Sequence, residues 1–174
     1  MNGLAILLAF FFAGQQAPAD SHPRVTRAAL ASVERALDGR LGGYAPDAFD
    51  LLGSSRGVYL EGYGAVFSTE VNLIISPNLS PFHPAFSKTE IARIHDRKLQ
   101  RLPVLKQKMR EMLVASAASL ENLPPSEQVV LAVSLFHYSW EDYSGIPSQI
   151  VMQAERQKLL SNATRETAIR TVEF

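Results

Sequence analysis

Hydrophobic and polar positions change period several times along the chain, and each change marks an element. In residues 57–75, Val58, Tyr59, Leu60, Tyr63, Val66, Phe67, Val71, Leu73, Ile74 and Ile75 are of the β-branched, aromatic and aliphatic types that suit a pleated, half-buried surface. Tyr63, Ala65, Phe67, Thr69, Val71 and Leu73 fall on one face of a strand, and Gly64, Val66, Ser68, Glu70 and Asn72 on the other. Gly62 and Gly64 bracket Tyr63 and supply the positive φ that a tight reversal needs. The stretch therefore predicts a hairpin turning at Glu61-Gly62-Tyr63-Gly64, with one long bulged strand as the alternative.

Helical spacing appears before and after this hairpin. Val25, Ala29, Leu30, Val33 and Leu37 predict an amphipathic helix over 24–38, and Pro46 to Leu52 fits one short helical turn. Three prolines, Pro77, Pro81 and Pro84, keep 76–86 out of helix interior and central strand. Ser87-Lys88-Thr89-Glu90 is a capping box that opens the longest helix. Its buried stripe is Ile91, Ile94, Leu102, Leu105, Met109, Met112, Leu113, Ser116 and Leu120, with a kink or break expected at Pro103.

The run 129–136, VVLAVSLF, has no alternation, as in a central strand covered by helices on both faces. Ile150, Val151, Ala154 and Leu159 predict a second crossover helix over 147–160, and 168–174 a last strand. The expected order is αββαβαβ: a mixed four-stranded sheet with helices packed on it, α+β in class with α/β-like wiring. Its second, third and fourth strands would run parallel.

Residues 4–14, LAILLAFFFAG, followed by Ala17-Pro18-Ala19, read as a secretory signal peptide over 1–19 ahead of a single domain over 20–174. The run is shorter than the roughly 17 residues a membrane span needs at minimum. It has no Lys or Arg before it, so an uncleaved N-terminal membrane anchor is the other reading. The expected localisation is periplasmic or secreted.

Composition narrows the chemistry. Lys plus Arg and Asp plus Glu are 17 each, so no overall field attracts nucleic acid. Cysteine is absent, which removes disulfides, a thiol nucleophile and cysteine-ligated metal. His22, His83, His95 and His137 lack the spacing of a zinc motif, and no pattern asks for a cofactor. Gly53-Ser54-Ser55-Arg56-Gly57 matches G-x-S-x-G but leads into a strand, the wrong context for a nucleophile elbow. Seven basic residues between Arg93 and Arg110, opposed only by Asp96, read as a solvated helix surface, with a phosphate-rich partner or lipid surface as the alternative. Asn78-Leu79-Ser80 and Asn162-Ala163-Thr164 have the form of glycosylation sequons.

In sheets with helical crossovers, ligands lie beyond the carboxyl ends of the strands. That places a candidate crevice in the loops after the second and third strands, with His83, His137, Trp140, Glu141 and Asp142 and the start of the Pro147 helix as its candidate ligand-binding parts. The competing reading is that these side chains form a lid over the core. The sequence favours a non-enzymatic exported module that binds a protein or small ligand. The alternative is a small extracytoplasmic hydrolase or metal-assisted enzyme.

Overall fold

The computed structural model describes residues 25–42, 48–75, 86–163 and 165–174. It is a small α+β domain with a mixed sheet and helices packed on it. The predicted signal segment, His22 and His83, the three loop prolines and the Asn78 sequon lie outside the described residues.

Helix α1 (Arg27–Leu41) is capped by Thr26, whose hydroxyl accepts from Ala29 N. Val25 and Leu30, flanking that cap at hydrophobic-staple positions, are both buried. Strands β1 (Asp50–Leu51), β2 (Arg56–Leu60) and β3 (Gly64–Asn72) follow. β2 and β3 are the expected hairpin, closed through Glu61, Gly62 and Tyr63, with Leu60 opposite Gly64. The short helical turn expected before it is instead β1 at residues 50–51, held antiparallel to the far end of β3.

Helix α2 (Lys88–Ser119) begins at the capping box: Glu90 N donates to Ser87 Oγ at 3.3 Å, and Ser87 N donates to Glu90 Oε2 at 2.8 Å. It runs unbroken through Pro103, whose missing N–H would have bonded Leu99 on an exposed side of the helix. β4 (Gln128–Leu135) pairs parallel with β3 along eight residues, as α2 requires of a crossover. Then come β5 (Gln149–Glu155), α3 (Arg156–Leu160), α4 (Arg165–Ala168) and β6 (Arg170–Glu173).

Strand order is β1-β3-β4-β5-β6, with β2 beside β1 on the same flank of β3. The expected order αββαβαβ and four strands therefore give way to six. The second crossover helix over 147–160 is a strand in its first half, because Ile150, Met152 and Ala154 bury at period two while Gln149, Val151, Gln153 and Glu155 stay half-exposed. β5 is antiparallel to β4, and β6 antiparallel to β5, so only β3 and β4 run parallel.

One face of the sheet carries the core. Ala65, Phe67 and Val71, Val129, Leu131 and Val133, and Ile150 and Met152 pack against Leu37 of α1 and Leu105, Met109 and Leu113 of α2. The opposite face presents Val66, Ala132, Ser134, Val151 and Gln153, all half-buried, and no described helix packs on it. Helices on both faces of β4 were expected. The smaller residues at its alternate positions, Ala132 and Ser134, mark the face left open.

Candidate functional site

A cavity of about 260 Å³ opens at the end of the sheet where β3 and β4 finish. Leu73 follows β3, Leu135 ends β4, Ser148 precedes β5 and Phe174 follows β6, and Ile146 and Pro147 complete an apolar wall. His137 and Tyr143 form the rim, their rings stacked with centroids 4.2 Å apart.

Lys98 reaches the cavity from α2. Its ammonium is paired with Glu141 Oε2, both side chains being almost wholly buried, and also donates to Phe136 O at 3.3 Å. Glu141 Oε2 further accepts from Tyr138 N at 3.3 Å. Two charges taken out of water persist only when paired and hydrogen-bonded, and the surrounding backbone supplies those bonds here. The lysine that lines the cavity is therefore balanced by a buried carboxylate.

Beside the cavity runs an aromatic ladder. Phe86 and Trp140 lie 4.3 Å apart, Tyr138 and Trp140 are stacked at 5.5 Å, and Phe136 meets Tyr138 edge-on at 4.9 Å. Such pairs contribute about 0.5 to 1.5 kcal/mol each beyond the area they bury. They hold the loop between β4 and β5 in shape.

The predicted site residues thus take different places. His137 lines the cavity, Glu141 is buried in the ion pair, and Trp140 belongs to the ladder. Asp142 is exposed, and its carboxylate accepts from Ser144 Oγ at 2.6 Å and Ser144 N at 2.9 Å. Those bonds, the hydroxyl's first and the N–H second, hold the Asp142 carboxyl below its ordinary value, with the nearby His95 adding to the effect. His95 Nδ1 lies 3.0 Å from Asp142 O and ties the loop to α2. The expected helix start at Pro147 is an approach to strand β5, so the helix dipole expected there is missing.

Lys98, Leu73 and Phe174 are cavity residues that sequence reasoning missed. For Lys98 a signal existed: it lies four residues from both Ile94 and Leu102, a charge set within the apolar stripe. Two more residues of the basic run are used structurally, while Arg93 and Arg97 stay on the exposed helix surface. Arg101 donates to Leu73 O at 3.2 Å and Ala48 O at 2.7 Å, with its guanidinium 4.3 Å over the Phe49 ring. Lys106 bridges to Glu173 at 2.6 Å.

Ser55 is buried, and its hydroxyl has no partner among the described residues. Its N–H donates to Asp38 Oδ1 at 2.8 Å, which fixes the turn into β2. No group of three His, Asp or Glu side chains among the described residues could hold a metal ion, and no described helix is long and apolar enough to cross a membrane. Comparison with family models, with curated proteins and with solved structures found no match.

Proposed function

We propose that the protein is an exported binding module that takes an apolar, ring-sized group of a protein or small ligand into the cavity where β3 and β4 end. The observation that carries this reading is the cavity itself: apolar walls, a lining lysine, Lys98, whose charge Glu141 balances, and His137 and Tyr143 as polar rim. Its volume of about 260 Å³ exceeds the roughly 150 Å³ that holds a benzene in an apolar protein cavity. Rim groups would fix the orientation of the guest, as a few polar groups do in mostly apolar pockets.

The alternative, a small hydrolase or metal-assisted enzyme, would need His137 released from Tyr143 and an acid or base beside it. Glu141 is committed to Lys98, and Asp142 to Ser144. Titration with benzyl alcohol tests the binding reading. Amide shifts at Leu73, Leu135, Ile146 and Phe174 should move and saturate, and Ile146→Trp, which fills the space, should abolish them. Saturable shifts elsewhere only, or none, would refute it.

Export rests on the sequence, on the apolar run over 4–14 and on Ala17-Pro18-Ala19. Mass spectrometry of the protein made in a secreting host should find Asp20 at its start, whereas a retained Met1 would leave the anchor or a cytosolic protein.

A further inference from the structure

The two edges of the sheet are finished differently. On the outer side of β2, Gly57 turns its backbone away from β3. Its N–H donates to Glu34 Oε1 at 2.6 Å, and its carbonyl accepts from Arg27 Nη1 at 3.0 Å. Arg27 and Glu34 are themselves bridged at 2.5 Å. This side-chain pair from α1 occupies the place of a further strand and closes the edge against other chains.

Among the described residues, β6 has no such closure. Phe174 N donates to Gln149 O at 3.0 Å. Alternation along an antiparallel ladder then turns Arg170 and Val172 towards β5 and leaves the N–H and C=O of Thr171 and Glu173 on the outer side. Among the described residues, β5 alone pairs with β6, and no other backbone group reaches Thr171 or Glu173. The charge of Glu173 is taken by Lys106, whereas the exposed Arg170 has no acidic partner among the described residues. At its far end the strand runs into Phe174, which lines the cavity.

We propose that β6 is the docking edge for an extended segment of a partner protein. The segment pairs with the backbone of Thr171 and Glu173, sets an apolar side chain into the cavity beside Phe174, and places an acidic residue near Arg170. This rests on the binding reading of the cavity and names its ligand class. Main-chain pairing supplies affinity, and the pocket and the cation supply selection, as in other cases of strand addition. A second copy of the chain fits less well: the one acidic residue of β6, Glu173, is already held by Lys106 and is not free to answer Arg170.

The experiment selects peptides from a displayed random dodecamer library on the folded protein. The best binder is then made in two forms, one plain and one N-methylated at alternate residues to remove its backbone donors. The plain peptide should carry an acidic and an apolar residue about four positions apart, matching the span from Arg170 to Phe174, and should slow amide exchange at Thr171 and Glu173. N-methylation on the pairing edge should weaken binding by about tenfold or more, as the loss of one or two hydrogen bonds implies. Thr171→Pro should do the same at unchanged Tm, because that N–H makes no bond to β5. The N-methylated peptide tests the same bonds without altering the protein. Failure to select any binder, binding that tolerates N-methylation, or a dimer that Thr171→Pro dissolves would each overturn the proposal and leave β6 a short, guarded edge or a self-association site. If benzyl alcohol still enters the cavity in those cases, the binding reading stands without the strand addition. A cavity that refuses benzyl alcohol overturns that reading first.

Discussion

Lys98 and Glu141, 43 residues apart in the chain, are an ion pair with side chains 2% and 0% exposed, joining the N-terminal half of α2 to the loop between β4 and β5. The pair ties the cavity rim to the longest helix. Removing one partner leaves the other charge buried and alone, which costs about 3 to 5 kcal/mol. Lys98→Met and Glu141→Gln should each lower stability by that order in urea denaturation. The double variant Lys98→Met/Glu141→Leu should recover most of the loss, since an apolar pair of similar volume is often neutral. Additive losses in the double variant would show that the two side chains do not act as a unit.

Gly64 should tolerate no side chain. Its φ is +142°, and a Cβ there would lie 2.0 Å from Gln128 O and 2.6 Å from Gln128 N. The obstacle is backbone at the first rung of the parallel pairing, and it cannot rotate away. Gly64→Ala should cost more than about 3 kcal/mol, in the tail of single-substitution effects. Gly62, with φ +77° and nothing within 4 Å of its would-be Cβ, is the control. Gly62→Ala should cost only the left-handed backbone penalty of about 1 to 2 kcal/mol. Thermal melts of the two variants compare them directly.

Glu34 should make the closed edge of β2 acid-sensitive. Its hydrogen bond from Arg27, and then that from Gly57 N, hold its carboxyl below the ordinary value against the opposing effect of burial. Between the folded and unfolded values the unfolded chain binds more protons. The contribution is therefore complete above about pH 4.3, the unfolded value, and is lost as pH falls through the folded one. Arg27 is largely exposed, so solvent screens the pair, and the contribution should lie near the low end of charged hydrogen bonds, about 1.5 kcal/mol. Glu34→Gln should show that loss in chemical denaturation at pH 7 and a flatter stability profile between about pH 4.5 and 3. Parallel profiles for the variant and the parent would place the acid response elsewhere.

Local sequence determined the elements whose signals lie within a few residues. The hairpin follows from the alternation on β3 and from Gly62 and Gly64, and the start of α2 from the reciprocal bonds of Ser87 and Glu90. The parallel pairing of β3 and β4 follows because a long helix separates them. Tertiary structure decided what depends on partners distant in the chain. Residues 147–160 satisfy both a helical and a strand period. The unpaired side of β4 settled the matter, since its backbone donors and acceptors had to be met and Ile150, Met152 and Ala154 could complete the core. For the candidate site, the sequence named the loop after β4 as one side of a crevice, and only the packed structure sets His137 at the cavity and Glu141 in a buried ion pair. The sequence did not disclose that a lysine from a basic helix face would neutralise Glu141. A charge in a helical stripe looks solvated until another part of the chain arrives to cover it, and that cover is a property of the packed fold alone.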